Sequence, residues 1–131
     1  MEARGFAPPV GARLTTDEAS LALSFGEVPT AVERLALCIW TQRRIGSAHA
    51  LLHLRRLAAV CLRRSVTDDS VEGTETRRVA MALAQPLKEL DDALAADRLL
   101  PAGVEAATLQ LSFIRFQLWR LERLLAAAGC R

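Results

Sequence analysis

The chain has 131 residues, 51% of them hydrophobic and 24% charged, with a formal net charge of +2 at pH 7. That is enough apolar mass for one core, and it excludes wholesale disorder. Ala and Leu are abundant and Tyr is absent. With β-branched and aromatic residues in short supply, the composition favours helix over sheet.

Residues 1–14 include Gly5, Pro8, Pro9 and Gly11 and show no periodic pattern. They read as a flexible N-terminal arm, with residues 15–131 forming a single helical-bundle domain. They also lack the apolar run of a secretory leader. Thr15 followed by Glu18 matches a capping box and opens a short helix to about Phe25, which Gly26 and Pro29 should end.

Thr30 is the candidate N-cap of a second helix running to about Ser65. Val32, Leu35, Ile39, Gly46, Ala50, His53, Leu57 and Val60 fall on one side of it. Gly46-Ser47 interrupts the pattern. The apolar register resumes beyond it, which favours one kinked helix over two. Cys38 and Cys61 lie within this apolar pattern. With Cys130 they make an odd number and no CxxC pair. Free thiols in a reducing cytoplasm follow, rather than a disulfide framework.

His49 and His53 are four residues apart, so they share one face of this helix and form a possible ligand or metal pair. Gln117 of the last helix is a possible third member. The HExxH pattern is absent, and Cys38 lies about 16 Å along the axis from His49, too far to join the site. Ala48-His49-Ala50-Leu51-Leu52-His53 matches the phosphate-accepting run of histidine phosphotransfer domains at only a few positions. Leu52 and His53 replace the Lys and Gly that phosphoryl transfer needs. The bland alternative is a pair of partly buried His hydrogen-bonded to neighbours.

The same segment holds seven Arg (34, 43, 44, 55, 56, 63 and 64) against one acid, Glu33. Polyanion or nucleic-acid binding through this Arg-rich helix is therefore a second alternative. Adjacent Arg residues point about 100° apart on a helix, and no helix-turn-helix, zinc-finger or base-stacking signature accompanies them. Nucleic acid is thus a disfavoured partner.

Thr67 to Glu72 reads as a loop, and a third helix starts near Thr74. Its seam is Leu83, Leu87, Leu90 and Leu94, and Pro86 should bend it. Between Asp68 and Asp97 eight acids face three bases. This acidic block most simply lies beside the basic one before it. Adjacent Asp pairs (68–69 and 91–92) lack the burial that catalytic carboxylates need. No nucleophile triad or phosphate-cradling Gly loop is present. Neither catalysis nor a cofactor is expected.

After a connection at Leu99 to Gly103, the fourth helix carries the strongest periodicity. Val104, Ala107, Leu111, Ile114, Leu118, Leu121, Leu125 and Ala128 step by three and four. A second stripe, Leu109, Phe113, Phe116 and Leu124, begins at least about 100° round the helix. Gly129 is the candidate cap. Arg115, Arg120, Glu122 and Arg123 rule this segment out as a membrane span. A helix apolar on two sides is deep in a bundle or shared with a second subunit. Trp119 among Arg residues, and Trp40 on the outer side of the second helix, have the composition of interface anchors.

The sequence thus implies an all-α fold, an antiparallel helical bundle of three long helices plus a short N-terminal one. The favoured function is a non-catalytic interaction module (adaptor, accessory or chaperone-like), homodimeric or bound to another protein through the last helix. Leu109, Phe113, Phe116, Trp119, Arg120, Leu124 and Trp40 are the expected contact residues.

Overall fold

A computed structural model describes residues 16–95 and 101–128. The expected N-terminal arm, Gly129 and Cys130 lie outside the described residues. Six helices follow in order: α1 (Thr16–Gly26), α2 (Val28–Thr41), α3 (Ser47–Ser65), α4 (Val71–Ala82), α5 (Ala84–Ala95) and α6 (Pro101–Ala128). The all-α bundle read from the sequence is present. Among the described residues no helix is long and apolar enough to cross a membrane.

The single helix expected over Thr30 to Ser65 is instead two, α2 and α3. Gln42 ends α2 in the left-handed region at φ 58°, and its N–H donates to the Cys38 carbonyl. Gly46 is left-handed as well, at φ 84°. Two such residues within five positions reverse the chain, and only glycine adopts that conformation without steric cost. The Cys38 thiol donates to the Ile45 carbonyl at 3.4 Å and fastens the turn. Thr30 is not the cap of α2: the helix starts at Val28 after Glu27. Pro29 then sits in the first turn, where a missing N–H leaves no helix bond unmade.

α4 begins at Val71, earlier than the expected Thr74. Ser70 is its N-cap, its Oγ accepting from the Gly73 N–H at 3.0 Å. Asp68 holds that cap in place, because its Oδ1 accepts from the Ser70 hydroxyl (2.6 Å) and the Ser70 N–H (2.9 Å). α4 and α5 are one arm broken at Leu83. Pro86 has no N–H to offer the Ala82 carbonyl, and its ring crowds that carbonyl. The bend anticipated from Pro86 therefore falls one turn before it, and Leu83 itself is fully buried.

The Ser70 bonds hold the Asp68 carboxyl below its ordinary value of 3.8, first through the hydroxyl and then through the N–H. A depressed folded-state pKa adds stability above the unfolded value, and that stability is lost as pH falls through the folded value. Asp68→Asn should therefore be less stable than the parent at neutral pH, with the gap closing as pH drops below 3.8. Thermal melts across an acid pH series check this, and a gap that does not change with pH would contradict it.

Cross-contacts fix the directions of the arms. Arg77 donates to the Ser65 carbonyl, and Arg55 pairs with Asp91 at 2.7 Å, so α3 runs antiparallel to α4–α5. Arg120 pairs with Glu75 at 2.5 Å, and Gln110 donates to Glu89, so α6 also runs antiparallel to α4–α5. The short turn makes α2 antiparallel to α3. α6 also packs on α2, so α2, α3, α4–α5 and α6 form a closed up-and-down ring. α1 lies against α3 and α2 and contributes Leu21 and Phe25 to the core. Leu35, Leu54, Leu83, Leu90, Ile114 and Leu121 are fully buried at its centre.

Among the described residues the basic and acidic blocks meet at Arg55 and Arg44. Arg55–Asp91 is a direct ion pair, and Arg44 caps the Ala95 carbonyl at 3.2 Å. Glu75 instead binds Arg78 and Arg120, and Asp92 binds Lys88.

Candidate interaction surface

α6 is about 42 Å long at 1.5 Å per residue, and its sides have different surroundings. Ala107, Leu111, Ile114, Leu118, Leu121 and Leu125 are buried in the core, as their spacing requires. On the outer side Leu109 is 71% exposed, Phe113 43%, Phe116 53% and Trp119 52%. Phe116 and Trp119 stack with ring centroids 5.9 Å apart. The Arg123 guanidinium lies 4.9 Å over the Trp119 ring. This stack holds two exposed aromatics and a cation in one arrangement, which lowers the ordering cost of docking.

The other expected contact residues divide. Leu124 is only half-open, packed partly against the core. Arg120 is held by its own chain: it pairs with Glu75 of α4 and also reaches the Gln117 side-chain Oε1 at 3.5 Å. Both sit at the border of the outer face rather than on it. Trp40 of α2 is 82% exposed. A groove between α2 and α6 is lined by Pro29, Glu33 and Ala36 on one side and Arg115, Trp119 and Glu122 on the other. Trp40 is one turn past Ala36, on the same flank of α2. It therefore borders the broad outer surface that α2 and α6 share.

Of the residues proposed for a ligand or metal, His49 and His53 line one groove and Gln117 lies elsewhere. His53 is partly buried, and its Nε2 donates to the Ser24 carbonyl at 3.0 Å; because a carbonyl only accepts, Nε2 carries the proton. Its Nδ1 lies 3.8 Å from Glu27 Oε1. His53 thus ties α1 to α3. His49 is exposed, and it lines one open groove with His53, Glu27 and Arg34 between α2 and α3. Gln117 is buried beside Arg120 and Glu75 on the α4 side of α6, away from both. Among the described residues no group of three or more His, Cys, Asp or Glu is placed to hold a metal ion. Four-residue spacing correctly put both His on one face. It carried no information about α1, which covers His53.

Of the Arg block, Arg44 and Arg55 are engaged with α5. Arg56, Arg63 and Arg64 border a shallow groove between α1 and α3 with Leu21, Leu57 and Val60 at its floor. The block is therefore spread over both faces of α3 and does not form one basic stripe.

Cys61 is fully buried, and burial pushes its thiol up to about 12 despite Arg64 nearby. Burial raises Cys38 as well, with Arg34 opposing. Thiolate is the reactive form. A Cys130→Ser variant is therefore expected to resist thiol reagents in the native state and to expose two thiols only on unfolding, measured by mass spectrometry after timed labelling. Fast native-state labelling of Cys61 would show that the core opens locally.

Comparison with known proteins adds no relative: no protein-family model, no curated protein and no solved structure matches the chain.

Proposed function

We propose that this protein is a non-catalytic helical interaction module that associates with a second copy of itself through the outer face of α6. The observation that carries this reading is the continuous exposed ribbon of Leu109, Phe113, Phe116 and Trp119 on a helix whose opposite side already fills the core. Single exposed apolar residues are ordinary, but a contiguous run with two stacked aromatics is the composition of an interface centre. Trp40 extends the same surface onto α2. An adaptor, accessory or chaperone-like role in the cytoplasm suits such a module.

Sedimentation velocity across a concentration series tests the reading. A mass shift from one to two chains with rising concentration is the expected result. A single-chain species at every concentration would overturn self-association.

A further inference from the structure

The outer face of α6 holds more than apolar surface, and its charges specify how two copies would meet. Glu105, Leu109, Ser112, Phe116, Trp119 and Arg123 are all exposed and follow one another at spacings of four, three, four, three and four. That alternation is the seven-residue repeat of a two-helix seam, here on the side of α6 opposite the core. The seam has an acid at one end and a base at the other, with the apolar and small residues between. Among the described residues neither Glu105 nor Arg123 has an ion-pair partner. Arg120, one step off the seam, is taken up by Glu75.

Resting on the self-association proposed above, we infer that the dimer is an antiparallel α6–α6′ pair with its two-fold axis level with Ile114. The three seam pairings this register creates are complementary. Glu105 meets Arg123 of the second copy, Leu109 meets Trp119, and Ser112 meets Phe116, each pair centred on position 114. A two-fold interface forms each contact twice, so both ends of the seam close with an ion pair. Small Ser112 opposite large Phe116 leaves room for the ring. Leu109 covers the outer side of the Trp119 stack. In a parallel pair Glu105 would meet Glu105 and Arg123 would meet Arg123, so charge selects the antiparallel arrangement.

The test is a charge swap read by sedimentation and native mass spectrometry. Glu105→Arg alone places Arg against Arg at both ends, and Arg123→Glu alone places Glu against Glu. Each is expected to weaken the dimer by about tenfold or more. Mixing the two variants restores opposite charges at both ends, so the mixture should form the heterodimer in preference to either homodimer. If the parent dimerises but each variant dimerises equally well and the mixture pairs at random, the register is wrong and the self-association stands. If the parent never dimerises, self-association itself fails and the register falls with it. Circular dichroism of each variant shows that an exposed substitution has left the helices intact.

Discussion

Phe116→Asp is expected to convert the dimer to a folded monomer. The side chain is 53% exposed in the single chain, so the substitution removes little from the core. The monomer should keep its helical content and nearly its melting temperature. In the proposed seam the same position is covered by Ser112 of the second copy, near the centre of the contact. Truncating a buried aromatic at an interface centre costs about 2 kcal/mol or more. The two-fold counts it twice, so about 4 kcal/mol is lost per dimer, close to a thousandfold in dissociation constant. A carboxylate without a partner adds its desolvation cost to this. Sedimentation at matched concentrations reads the result. A variant that still dimerises like the parent would move the contact away from this face, and the α2 flank around Trp40 would be the next surface to alter.

Gly73→Ala should be among the most damaging single-methyl changes in the chain. Gly73 is buried in the first turn of α4, where its N–H donates to the Ser70 cap. A Cβ at this position would run into the Asp68 Cγ and would also meet the Asp68 backbone oxygen at 2.5 Å and Cβ at 2.6 Å. Two of those atoms are close to or part of the backbone, so rotating a side chain cannot relieve the contact. The loop must move, and the bonds from Ser70 to Asp68 move with it. Overpacking of this kind costs about 1–3 kcal/mol. Losing the cap adds about 1 kcal/mol. Gly26→Ala is the matched control: nothing lies within 4 Å of a Cβ there, and its φ is not left-handed. Alanine should be neutral or slightly stabilising at that site. Urea unfolding of the two variants beside the parent measures both, and equal stability for Gly73→Ala would show that the loop is not held as described.

The core side of α6 was legible residue by residue, because a long helix in contact with one core repeats its apolar residues at helical spacing. Its exposed stripe was legible for the same reason, as apolar residues left over once the core side was assigned. The break between α2 and α3 was not. Apolar spacing continues in phase through Gly46, whereas the turn is set by left-handed backbone at Gln42 and Gly46. A helix and a reversal can carry the same apolar pattern, and only tertiary packing distinguishes them. Pro86 gave the position of the α4–α5 bend to within a turn, since its chemistry acts on one identifiable carbonyl. Gly73 falls between the segment read as a loop, Thr67 to Glu72, and the helix start expected near Thr74. Here it is a helical residue kept small by Asp68, a contact between positions five apart that periodicity does not encode. Arg120 looked like part of the outer face by bearing alone. Its long side chain instead reaches across to Glu75 of α4. Angular position on a helix fixes where a side chain starts, and a guanidinium can end several ångströms elsewhere.

The order of the arms around the ring has a kinetic consequence. Each arm packs on the arm next to it in the chain, so short segments close most of the core and little chain entropy is spent in doing so. Topologies of this sort fold in about microseconds to milliseconds. The exception is the seam between α2 and α6, which joins the first arm to the last and can zip only when the others are assembled. Trp119 lines that seam. Its fluorescence should therefore report the last event of folding, trailing the helical signal of the rest of the chain.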